Sequence, residues 1–159
     1  MVATISDTMT GAALAAGPTG YSVAVTDRHT STLLYFESAT CDRWPVPDPV
    51  WGSGTGGWYP SVALDPVYVN EPSIAFYVCS PRSGIVETSC LQSEDSLRVS
   101  TRLEGVWRET LVDPAGGWAP KLGFLPNGKR VVVYRVPAAK YPLGPVNPQA
   151  GALKIAIEH

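Results

Sequence analysis

The chain is short of charge. Asp, Glu, Lys and Arg supply only 16% of its 159 residues, against roughly 25% in an average domain. With 12 basic and 14 acidic residues the net charge is −2. That balance gives no basic face for a phosphate backbone, so nucleic-acid binding is not expected. Long apolar runs are missing too. None approaches the roughly 18 residues that span a bilayer, so no membrane partner is expected. The opening "MVATISDTMTGAALAAG" has no basic start followed by a sustained apolar core, and no signal peptide is visible in it. The three cysteines, Cys41, Cys79 and Cys90, show no Cys-x-x-Cys or Cys/His spacing for zinc, haem or an iron–sulfur centre. There is no phosphate loop and no Gly-x-Ser-x-Gly elbow. "GSGTGG" and "DPAGG" are glycine-rich, but each joins strand to strand, and without a following helix neither reads as a nucleotide loop. No metal and no cofactor are expected.

What is abundant is punctuation. Gly and Pro number 15 each, and they separate short apolar runs rich in Val, Ile, Leu and aromatics. This is the pattern of many short strands joined by turns, an all-β chain. One phrase also occurs twice: "GGWYPSVALDP" at 56–66 and "GGWAPKLGFLP" at 116–126. A fixed-period echo of this kind marks a repeat architecture.

With 59–113 as template, strands are expected at 61–66, 72–79, 96–102 and 107–113. A second copy gives 121–126, 130–136 and 152–159, with "LKIA" over "LRVS" and the fourth strand lacking. A third gives 12–20, 21–26, 32–38 and 43–50, with Trp44 over Trp107. Residues 2–6, "VATIS", are left over as a spare fourth strand. Pro45, Pro47 and Pro49 fall in a fourth strand, where an edge position tolerates their missing N–H.

This arrangement resembles a β-propeller, whose blades are four-stranded antiparallel meanders. The wording around "GGWYPSVALDP" is similar to the blades of bacterial sialidase-like and related propellers, although no Ser-x-Asp-x-Gly-x-x-Trp box is present. The resemblance implies one partial propeller over 1–159. Blade 1 takes about 12–50, blade 2 about 59–113, and blade 3 about 120–159 plus strand 2–6, docked in trans or within a larger ring. Three blades do not close a ring. Two readings follow: a homodimer forming six blades, or a piece of a larger ring whose other blades lie in another chain.

The resemblance implies a non-enzymatic binding or scaffold module, lectin-like in its most specific form. The alternatives are a fragment of a propeller hydrolase or lyase, and a structural subunit of a larger complex. Fold alone does not choose among them. Long connections at 80–95 and 137–151 share one face with the two Gly-Gly-Trp segments, so ligands, with carbohydrate foremost, are expected there. The candidate ligand residues are Trp51, Trp58, Trp118, Arg28, His29 and Arg82. Aromatic rings suit sugar faces, and glycine lets a ligand approach the backbone. Trp58 and Trp118 also read as wedges between blades. Asp27 beside His29 could orient an imidazole, or simply make a turn. No catalytic residue is assigned. Cys79 and Cys90 bracket a loop that a disulfide would close, leaving Cys41 as an odd thiol. An extracellular or periplasmic location goes with that pair and with the resemblance.

Overall fold

The computed structural model of the chain describes residues 9–27, 29–52, 56–68, 71–78, 96–114, 116–136 and 151–159. The expected strand 2–6, Arg28, Arg82, Cys79, Cys90 and most of the two long connections lie outside the described residues. Those residues contain strands and no helix, hence no helix long and apolar enough to cross a membrane.

The strands form three antiparallel sheets in simple up-and-down order. The first holds β1 (Met9–Gly17), β2 (Gly20–Asp27), β3 (Thr32–Ser38) and β4 (Asp48–Trp51). The second holds β5 (Gly56–Leu64), β6 (Pro72–Val78), β7 (Ser96–Leu103) and β8 (Val106–Asp113). The third holds β9 (Trp118–Phe124), β10 (Arg130–Arg135) and β11 (Leu153–Ile157). Most bounds lie within a few residues of the sequence reading. The exception is the strand expected at 43–50: it begins only at Asp48, and Trp44 stands in irregular chain before it. Pro45 and Pro47 cannot donate to a ladder, so pairing with β3 is confined to Tyr35↔Asp48, Leu34↔Pro49 and Leu33↔Trp51. Pro49 does sit in an edge strand, as its missing N–H requires.

The ladders reveal a repeat finer than the repeated phrase. In each sheet the first strand carries an extra residue opposite the second at one matching place, and β5 carries a further one between Gly56 and Trp58. The matching extra residue falls between Thr10 and Ala12, between Trp58 and Ser61, and between Trp118 and Lys121. At the matching position the backbone is left-handed each time: Gly11 (φ 68°), Tyr59 (φ 53°) and Ala119 (φ 47°). This is a β-bulge of one kind used three times. A non-glycine there costs of order 1–3 kcal/mol, which surrounding packing must offset.

The sheets stack in sequence order. Between the first and second, Ala24, Leu33 and Tyr35 meet Val62, Ile74, Phe76 and Val78. Between the second and third, Ala75, Leu97 and Val99 meet Val132, Tyr134 and Val136. By ladder register these are matching positions: Ala24 and Ala75, Leu33 and Leu97, Tyr35 and Val99 on one side, with Ile74 and Val132, Phe76 and Tyr134, Val78 and Val136 on the other. Each position alternates along its strand, so every sheet offers one face to the preceding sheet and one to the following sheet.

Glycine sets the closeness of both junctions. A Cβ on Gly57 (φ 104°) would lie 2.6 Å from Leu33 Cβ. A Cβ on Gly117 (φ 128°) would lie 2.7 Å from Leu97 Cβ. Only glycine combines this conformation with this approach. The second glycine of Gly-Gly-Trp is therefore the point where one sheet rests on its predecessor.

Candidate functional site

Each Gly-Gly-Trp segment delivers a tryptophan immediately after the glycine contact. Trp58 is 2% exposed and packs with the buried Tyr77, and the half-buried Tyr59 and Trp118 close the group. The Trp118 ring lies 5.7 Å from Tyr59 and 6.2 Å from Tyr77, in tilted and edge-on geometries. Such pairs add about 0.5–1.5 kcal/mol beyond their buried area. Tyr59 comes from β5 and Trp118 from β9, so this aromatic group bridges the first strands of two successive sheets. The Trp58 indole N–H is buried with no hydrogen-bond partner among the described residues, and a Cβ on Gly56 would lie 2.0 Å from that nitrogen.

The structure thus brings two of the expected ligand residues, Trp58 and Trp118, into one cluster. Trp51 belongs to another. It is half-buried at the end of β4, tilted against Phe76 at 5.8 Å, with the Arg98 guanidinium 5.0 Å above its ring. Its contacts are those of a sheet-to-sheet junction. His29 is exposed in the turn from β2 to β3. Asp27 accepts hydrogen bonds from the His29 backbone N–H (2.9 Å) and the Thr30 hydroxyl (2.9 Å). That carboxylate closes its turn in the manner of an Asx motif. Cys41 is an exposed free thiol.

A polar cluster at the second junction escaped sequence reasoning. Asp113, 8% exposed at the end of β8, accepts from the Tyr134 hydroxyl at 2.7 Å and from Lys154 Nζ at 3.1 Å. Burial, reinforced by the hydrogen bond to Asp113 and its negative charge, pushes the Tyr134 phenol well above its ordinary 10. No local signal marks these three residues, since they come from three strands.

At the opposite end of the sheets from the Gly-Gly-Trp segments runs a groove of about 770 Å³. Turns after β5, β7 and β9 form its walls, with Asp65, Glu104, Arg108 and Arg130 among the lining. Arg130 ties β10 to Glu158 (Nε to Oε2, 3.0 Å) and reaches Thr101 of the second sheet at 2.6 Å. These bonds hold the Glu158 carboxyl below its ordinary range, against a smaller opposing push from burial. Among the described residues no group of three His, Cys, Asp or Glu side chains is placed to hold a metal ion. The chain matches no family model, no curated protein and no solved structure.

Proposed function

We propose that the three sheets are successive blades of a β-propeller, and that the protein is a non-enzymatic binding module of lectin-like type. The recurring junction carries the reading. One bulge, one glycine-on-leucine contact and one set of apolar positions relate the first sheet to the second and the second to the third. The heaviest inter-sheet contacts join β1 to β5 and β5 to β9. This is the neighbourhood that first strands have when meanders are arranged around an axis.

In that arrangement the half-buried rings of Tyr59 and Trp118 sit on innermost strands, where, tilted 54° to each other, they offer an angled apolar platform. A sugar face with its axial C–H groups suits stacking on such rings.

A glycan array probed with the full chain tests this. Binding with Trp118→Ala weakened at least tenfold and Trp51→Ala close to the parent is the expected result. Absence of binding across the array, or equal loss in both variants, overturns the platform. Turnover of a glycoside once a partner chain is added replaces it with the enzyme reading.

A further inference from the structure

The molecule shows what covers the outgoing face of a sheet, because it does so twice. Leu33 and Tyr35 are 0% and 2% exposed beneath the second sheet, and Leu97 and Val99 are 0% and 3% exposed beneath the third. By register the same positions in the third sheet are Leu153 and Ile155, paired in the ladder with Arg135 and Val133. They are 71% and 63% exposed, and Ile157 beyond them is 50% exposed. Lys154 and Ala156, alternating with them, pack toward the second sheet, so the three large residues share the opposite face. The long side of β11 that matches the β3–β4 and β7–β8 pairings has no partner strand among the described residues.

At the other end of the series the incoming face is open in the same way. Leu14 of β1 holds the register position of Val62, which is 8% exposed; Leu14 is 65% exposed. Val23, at the position of the fully buried Ile74, is only half-buried. The third sheet therefore presents the surface that a first-type face covers, and the first sheet presents that face.

We infer that the third sheet of one copy receives the first sheet of a second copy, and reciprocally, so that two chains close one ring of six sheets. The inference rests on the propeller reading above. Propellers close with four to eight blades, and two copies of three sheets fall within that range. A head-to-tail contact that closes on itself satisfies both exposed faces at once and leaves no open end for fibres. The apolar stripe Leu153, Ile155, Ile157 is the part of the contact that excludes water. At the register position of Gly57 and Gly117 the first sheet carries Met9.

Light scattering or sedimentation of the full chain decides it. The expected mass is twice the 17.0 kDa of one chain. Ile155→Asp and Leu14→Glu should each halve that mass while the β-sheet circular dichroism of the parent persists. Mixing the two variants should restore association, because one junction of the mixed pair joins two unaltered faces. A monomeric parent, a mass of three or more chains, or a dimer lost with Ile155→Asp but kept with Leu14→Glu overturns the head-to-tail ring. If Ile155→Asp fails to fold, Leu153→Ser and Leu14→Ser serve the same comparison. A monomer that still binds glycans through Trp118 defeats this inference alone. A dimer without glycan binding defeats only the lectin reading.

Discussion

The junction between the first and second sheets and the junction between the second and third use the same three ladder positions with unlike chemistry. At the first, Trp51 leans on Phe76 beneath the Arg98 guanidinium. At the second, Asp113 takes hydrogen bonds from Tyr134 and Lys154. Trp51 pairs with Leu33 as Asp113 pairs with Leu97, and Phe76 pairs with Arg98 as Tyr134 pairs with Lys154. A cation–π stack and a buried hydrogen-bonded ion group thus fill one mould. What stays constant is the backbone: the bulge, and the glycine seated on a leucine. The stacking of sheets is therefore specified by backbone shape and apolar volume, and the polar corner is free to vary.

If that is right, the largest effects come from the glycines. Gly117→Ala would put a Cβ 2.8 Å from the Leu97 Cα as well as 2.7 Å from its Cβ. The backbone cannot swing away, and the φ is hostile to alanine. Strain and overpacking together are expected to cost about 3–5 kcal/mol. At Gly57 the nearest obstruction is the Leu33 Cβ, with the Leu33 Cα at 3.4 Å, so Gly57→Ala should cost less. Urea denaturation of both variants measures the difference. Equal, sub-kilocalorie effects would mean that the shared contact does not govern either junction.

The sequence displayed the repeated words and hid the repeated shapes. "GGWYP" and "GGWAP" were legible because Trp58 and Trp118 follow the same glycine contact. The first copy of that contact region was not legible, because Gly11, Tyr59 and Ala119 share a backbone angle and no side-chain chemistry. The match of Trp51 to Asp113 is hidden for the same reason, and from sequence Trp51 accordingly reads as a ligand residue. The proline-rich run at 43–50 reads as one strand on composition, yet two prolines ahead of Asp48 leave the ladder only its last few positions. Alternation in "LKIAI" marked a strand. Only the ladder to β10 showed that its large residues occupy the places that Leu33 and Leu97 fill under cover.

The second comparison removes the corner groups. Asp113→Ala leaves a buried phenol and a partly buried ammonium without their acceptor, and about 2–3 kcal/mol is expected. Arg98→Met removes the cation above Trp51 but keeps apolar volume over the ring. A half-exposed cation–π contact is worth about 0.5–1 kcal/mol, so the loss should be of that size. Denaturant midpoints read at one pH rank the pair. A larger loss for Arg98→Met would place the binding strength of the corner in the stack and not in the ion group.

The last effect has a pH signature, to which buried phenols at both junctions contribute, Tyr134 at the second and Tyr35 at the first. Burial and Asp113 raise the folded-state pKa of Tyr134, so the folded protein holds the neutral phenol more tightly than the unfolded chain does. Stability from this source is complete below the unfolded value near 10 and is lost as pH rises through and beyond it, because the unfolded chain then releases its proton first. Tyr134→Phe should cost about 1 kcal/mol at neutral pH, the worth of one hydrogen bond. It should also flatten the alkaline decline between pH 9 and 11 relative to the parent. Phe76, at the matching position of the first junction, has no proton to release, so Phe76→Tyr is the informative control. A tyrosine there, fully buried but without a carboxylate beside it, should restore only the part of the slope that burial supplies when combined with Tyr134→Phe. If the double variant regains the whole decline, burial alone raises the phenol and Asp113 is incidental to it.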